Sequence, residues 1–312
     1  MEKKSMKHIT LKTDTLTATI LPDLGGKIAS LRHGKTELLQ QPLRPYELRN
    51  LTMGFEESDA SGFDECLPSV AACTIKMATG EAHIPDHGEF WRLACETRQP
   101  EPNVAVLTAT GTVLPLRFER VLTLESNTLR INYRVENTGA AEIPYAWSAH
   151  PLFSVHQGDA VVLPPSVTQV TVEGSARNRL GPNGTILSWP VASTADDNYA
   201  SLDQVGMPSL GFGDKLFTKA PAEGWCVLDR KSAGLKLKVS FDPKLSPWLG
   251  LWLCYGGWPE GSDNTQNCVA IEPCTAPVDS LAKTIEAGIA RKLAPGQSDF
   301  WWMEISLITG AE

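Results

Sequence analysis

Leu129, Ile131, Tyr133 and Val135 alternate with Arg130, Asn132, Arg134 and Glu136. A period of two over that length fits a strand with one buried and one wet face, and it does not fit a helix. Leu235, Leu237, Val239 and Phe241 repeat the pattern, with Lys236, Lys238 and Ser240 between them. Further strands are predicted at Leu16 to Leu21, Ile28 to Arg32, Val104 to Val113, Leu116 to Leu124, Leu249 to Cys254, Val269 to Glu272 and Phe300 to Ile308. Turn chemistry separates them at Gly25-Gly26, Ser126-Asn127, Asn137-Thr138-Gly139 and Gly256-Gly257. Helical periodicity is confined to a short piece around Ser280 to Ala290. Many strands at short spacing with Gly and Pro turns predict an all-β sandwich or barrel. No composition break marks a linker and no internal repeat stands out, so residues 1–312 predict one domain. Arg44 to Gly62 and Arg177 to Gly213 predict long loops over one end of the sheets, where binding residues collect.

Charge and cysteine usage exclude several classes. The net charge is −8 and no Lys/Arg run exceeds Lys3-Lys4, so nothing is present to neutralise nucleic-acid phosphates. The seven cysteines are scattered and form no Cys-x-x-Cys pair, which argues against a zinc site or a redox motif. Reduced, buried thiols in a cytoplasmic protein are expected. Met1 to His8 is polar, with no apolar stretch of a secretory signal, and no apolar run reaches membrane-spanning length.

Three fragments carry the chemistry. His150-Pro151-Leu152-Phe153 follows a strand-like Tyr145-Ala146-Trp147-Ser148, and Pro151 pushes His150 toward extended geometry, so the imidazole is expected at a strand end. A lone histidine is as often a hydrogen-bonded core residue as a catalyst. Glu272-Pro273 ends an apolar strand, where a carboxylate is costly unless paired or used. Asp86-His87-Gly88-Glu89-Phe90-Trp91 reads as a loop histidine with backbone close to a ligand. His83 and His87 have helical metal spacing, but Pro85 between them removes the helix, so no metal is expected. Asp214, before Lys215-Leu216-Phe217, reads either as a turn residue or as an acceptor for sugar hydroxyls. Asp64-Glu65 reads as a surface turn or a pocket wall. Trp91, Phe153, Trp252 and Trp258 are candidates for stacking on a sugar ring, although most of the nine tryptophans are expected in the core. A histidine acid, a glutamate base and flat aromatic faces suit proton transfer on a sugar.

His87-Gly88, His150-Pro151-Leu152-Phe153, Asp214 before Lys215-Leu216-Phe217, and Glu272-Pro273 occur in that order. Together they resemble the aldose 1-epimerase, or galactose mutarotase-like, family. Phe63-Asp64-Glu65-Cys66-Leu67-Pro68 and Pro85-Asp86-His87-Gly88-Glu89 look like its divergent bacterial branch. The resemblance runs from about Leu16 to Ile308. It implies a β-supersandwich, with Glu272 as base, His150 as acid, and His87 with Asp214 holding the substrate. The better-known members carry an Arg upstream of the first His, and none lies between Gly54 and His87 here.

The activity so implied is anomer interconversion of a small-molecule sugar by a monomer or homodimer, without cofactor or metal. Two other readings stand beside it: a non-catalytic carbohydrate-binding β-sandwich, and a glycoside hydrolase or lyase on a similar fold. A hydrolase would use two carboxylates, for which Asp214 and Glu272 are the candidates.

Overall fold

The alternating segments form the strands Thr128–Asn137 and Leu235–Phe241, and both face the same core. Leu129, Ile131, Tyr133 and Val135 are buried, as are Leu237, Val239 and Phe241. The computed structural model describes residues 6–78 and 80–308. Met1 to Ser5, with the Lys3-Lys4 pair and most of the polar start, lie outside the described residues.

Two large antiparallel sheets dominate. The eight-stranded sheet runs Ala160–Val162, Trp225–Arg230, Leu235–Phe241, Ser298–Ile308, Thr128–Asn137, Leu116–Glu125, Val104–Thr110, Glu96–Glu101. The eleven-stranded sheet starts with Ile9–Lys12, Leu16–Leu21 and Lys27–His33, and continues through Phe63–Cys66, Ser148–Ser154, Asn267–Cys274, Trp248–Tyr255, Phe212–Lys219, Gln169–Ser175 and Ile186–Ser188; Thr36–Glu37 pairs off Lys27–His33. One continuous apolar core draws Ile20, Ile28, Leu251 and Ile271 from the larger sheet and Leu122, Ile131, Val239 and Met303 from the smaller. The architecture is therefore an all-β supersandwich. Among the described residues no helix is long and apolar enough to cross a membrane.

The helical signal is the α-helix Leu281–Glu286, with Ser280 as N-cap, the one α-helix among the described residues. Two expectations are corrected. Arg177 to Gly213 is not a bare loop, since it holds the short strands Ile186–Ser188, Val191–Ser193 and Tyr199–Ser201. Their buried positions are few, one residue in three in the first two, so they left no alternating signature. His150 is not at a strand end. It lies third in Ser148–Ser154, with Pro151 accommodated where the ladder to Asn267–Cys274 skips from Ser148 to Leu152. Arg44 to Gly62 holds no strand, and its one regular element is the 3₁₀ turn Phe55–Glu57.

Candidate active site

The four central strands of the larger sheet build one wall of a cavity of about 240 Å³. Ser148–Ser154 and Asn267–Cys274 are neighbours, and their register (Ser148 opposite Cys274, Leu152 opposite Ala270) sets His150 opposite Glu272. Both line the cavity, together with Lys215 and Trp252 from the next two strands. Loops supply Phe55, Asp86, His87, Trp258 and Asp279.

Glu272 is wholly buried. Its Oε2 accepts from Ser148 Oγ at 3.3 Å and from the Lys215 ammonium. Its Oε1 is buried and has no hydrogen-bond partner among the described residues. A buried carboxylate oxygen left without a partner is costly, and in a cavity wall it is the place where an incoming hydroxyl gains most. Burial, helped by the charges of His87 and Lys215, holds the His150 imidazole well below the ordinary histidine range, against the pull of Asp64. Burial alone would depress the Lys215 ammonium, but the Glu272 and Asp279 carboxylates outweigh it and push it up. Asp279 is pushed up as well, by burial and by repulsion from Glu272, against the pull of Lys215, and its Oδ1 has no hydrogen-bond partner among the described residues.

His87 stacks on Phe55 with ring centroids 3.6 Å apart and stands edge-on to His150 at 5.2 Å. Its Nδ1 lies 2.9 Å from Asp86 Oδ2, the geometry of an Nδ1–H donor to that carboxylate. Burial alone would raise the Asp86 carboxyl, but the His87 hydrogen bond and charge bring it below the usual value. Gly88 is required at this turn by a close backbone contact. A Cβ there would stand 2.1 Å from the Leu67 carbonyl oxygen, and its φ is +73°.

The remaining sequence candidates lie elsewhere. Asp214 neighbours Lys215 on Phe212–Lys219, and adjacent strand residues point to opposite faces. Only one of the pair can reach the cavity, and it is Lys215. Asp214 accepts instead from Ser175 Oγ at 2.7 Å and from Arg179 Nε at 2.8 Å. The Asp214–Glu272 pair that a hydrolase would use is therefore not assembled in this cavity. Asp64 shares the His150 face but is paired with Lys27 Nζ at 2.6 Å and with Arg49 Nη1 at 3.0 Å. Glu65 faces the core between the sheets, accepting from Trp147 Nε1 at 2.9 Å, and burial pushes its carboxyl up to about 7 despite Arg120. Phe153 is buried on the opposite face from His150. Trp91 is buried behind the cavity, where its Nε1 donates to Gly88 O at 3.0 Å and its ring meets the Phe55 edge. It supports the His87 turn and does not line the cavity. Arg92, next to Trp91 in the 3₁₀ turn Phe90–Arg92, donates to Met53 O.

Sequence reasoning did not place Phe55, Asp279 or Gln266 in the cavity. None has a pattern that announces it. Arg49 lies just upstream of the segment in which the resemblance places an Arg, but its guanidinium is buried against Asp59, Asp64 and the Trp91 carbonyl.

Neither a protein-family model nor a curated protein sequence matches the chain. Solved structures do. An Escherichia coli K12 protein assigned provisionally as an aldose 1-epimerase superposes with TM-score 0.71 at 17% identity, covering 97% of this chain and 99% of that one. A galactose mutarotase-related enzyme from Lactobacillus acidophilus gives 0.68 at 16% identity, over 97% and 98%. A galactose mutarotase-like protein from Lactobacillus casei ATCC 334 gives 0.64 at 16% identity, over 97% and 100%. The chain has the galactose mutarotase-like fold. On a galactose mutarotase-like fold, the strands that carry His150 and Glu272 lie side by side near the middle of the larger sheet, so both groups are fixed by ladder hydrogen bonds and not by loops. Rigid strands of this kind hold side chains to the tolerance that proton transfer demands. Among the described residues no group of three or more His, Cys, Asp or Glu is placed to hold a metal.

Proposed function

We propose that this chain is a mutarotase, which interconverts the α and β anomers of an aldose by acid–base ring opening. The observation that carries the reading is the free Oε1 of buried Glu272, in one cavity with His150. Glu272 Oε1 takes the proton of the anomeric hydroxyl. The C1–O5 bond breaks as the C1 carbonyl forms, and His150 gives a proton to O5. Rotation about C1–C2 and re-closure on the other carbonyl face yield the second anomer, with the proton roles reversed. Each transfer is worth about 10²–10⁴-fold. Phe55, Trp252 and Trp258 offer apolar faces to the ring, and His87, oriented by Asp86, offers a polar contact. The 240 Å³ cavity suits a small ligand such as a single sugar ring. The reading treats residues 1–312 as one catalytic unit. Polarimetry of freshly dissolved α-glucose or α-galactose tests it: the protein should speed the approach to equilibrium, and a rate equal to the spontaneous one rejects it.

The pH profile of kcat/KM is expected to be bell-shaped, with an early descent. The acid form of His150 exists below its folded pKa and is lost as pH rises through it. Because that pKa is held well below the ordinary histidine value of about 6.5, the descending limb should fall on the acid side of neutrality. A rate that stays flat well above neutral pH would count against His150 as the acid.

The substrate is expected to be a neutral aldose. Glu56, Asp86, Glu272 and Asp279 line the cavity against one ammonium, and that ammonium is engaged by Glu272. An anionic sugar would need a free bidentate clamp. Glucose and galactose should therefore exchange faster than their 6-phosphates or sulfoquinovose. A preference for a charged sugar, weakened by salt, would overturn the expectation.

A further inference from the structure

Lys215 and Glu272 stand two strands apart. Trp248–Tyr255 runs between them, with Trp252 opposite Lys215 and Gly250 opposite Glu272. Gly250 is what lets the two side chains meet over that middle strand. A Cβ at 250 would stand 3.3 Å from Glu272 Cβ, 3.4 Å from its Oε2 and 3.1 Å from the Phe217 ring, and any larger side chain would fill the gap through which the ammonium reaches the carboxylate. The Lys215 ammonium donates to Glu272 Oε2, and it is 3.8 Å from Asp279 Oδ1. Oε1 remains free.

We propose that Lys215 is the positioning residue for the base: it clamps Glu272 Oε2 across the space left by Gly250, so that Oε1 alone is presented to the anomeric hydroxyl. The inference rests on the mutarotase reading for what Oε1 does, but not for the clamp itself. The titratable and charged groups around Glu272 are Lys215, His150 on the neighbouring strand, Asp279 from the following connection, and the thiols of Cys66, Cys268 and Cys274. Among these, Lys215 alone brings a lasting positive charge, because the two carboxylates raise its ammonium above the ordinary range, while burial makes His150 lose its charge on the acid side of neutrality. A fully buried carboxylate without a counter-charge takes up a proton instead of staying ionised. A protonated carboxyl is no base.

Lys215→Met and Lys215→Arg separate positioning from mere packing. In Lys215→Met the acid-side limb of the kcat/KM profile should move up by about one pH unit or more, so that at a fixed pH on that limb the rate falls about tenfold, through kcat and with little change in KM. Lys215→Arg should bring the limb most of the way back. Gly250→Ala keeps the ammonium but crowds the gap, and should move the limb in the same direction. Fluorescence of Trp252 and Trp258 on adding sugar checks that each variant is folded and binds. A limb at the wild-type position in both Lys215→Met and Gly250→Ala, or a loss equal at every pH, overturns the proposal. Infrared spectroscopy gives a readout free of turnover. As pH is lowered, a protonated carboxyl band that is missing from Lys215→Met/Glu272→Gln should appear at a higher pH in Lys215→Met than in the wild type. Its appearance at the wild-type pH also overturns the proposal. If the wild-type protein exchanges no anomers, the infrared comparison still decides the clamp, and the failure belongs to the mutarotase reading.

Discussion

Glu272→Gln is expected to lower kcat for anomer exchange by about 10²–10⁴-fold, the usual worth of one positioned proton transfer. The substitution is nearly isosteric, so the cavity keeps its shape. The amide oxygen can still accept from Lys215 or Ser148, but the group no longer removes a proton at Oε1. Sugar binding should survive, which makes the loss one of kcat and not of KM. His150→Asn should cost a similar factor, because both residues act in the same ring-opening step. Near-wild-type exchange in either variant, measured by NMR of the anomeric protons, would remove the assignment of base or acid.

Lys27→Met is expected to destabilise the protein by about 3–5 kcal/mol, the usual cost of breaking a buried ion pair from one side. Lys27 is fully buried, 3.1 Å from Asp59 Oδ1 and 2.6 Å from Asp64 Oδ2, and Arg49 closes the cluster from the other side. Without Lys27, two buried carboxylates share one guanidinium. The cluster also sets a direction with pH. Burial alone would raise the Asp59 carboxyl, but Lys27 and Arg49 outweigh it and hold it at about 2. A depressed carboxylate stabilises the fold above its unfolded value near 3.9, and that contribution is lost as pH falls from there toward about 2. Denaturant unfolding of wild type and Lys27→Met at neutral pH and near pH 3 checks both parts. Equal midpoints at neutral pH would show that the cluster contributes little.

The larger outline of the fold was legible because half-buried strands write their period into the sequence. Thr128–Asn137 and Leu235–Phe241 show this most clearly, with one face in the core and one in water. The central strands are different. Ser148–Ser154 and Asn267–Cys274 are buried on both faces along most of their length, so alternation disappears where the site lies. That is why Phe153 and His150 could not be assigned to separate faces, nor Lys215 preferred to Asp214. For adjacent residues on a strand, parity decides the role, and parity depends on register with strands far away in sequence. Asp64 and Glu65 illustrate the same point, one on the cavity side among buried cations and the other between the sheets. Trp91 carries no local mark that distinguishes a pocket wall from a support behind it. The pairing of His150 with Glu272 was nonetheless readable as chemistry, since each residue type is expensive to bury without a purpose.

Phe55, His87, His150, Lys215, Glu272 and Asp279 meet in one cavity although the first and last are separated by most of the chain. The strands beneath them are neighbours out of chain order: Phe63–Cys66 lies against Ser148–Ser154, which lies against Asn267–Cys274. Loops of roughly a hundred residues must close before those ladders form, and such non-local closure slows folding. The cavity can therefore be complete only when the final pairing is made. Recovery of sugar binding after dilution from denaturant should lag behind the return of strand signal, because every intermediate that lacks one of these three strands lacks either the imidazole, the carboxylate or the support beneath them.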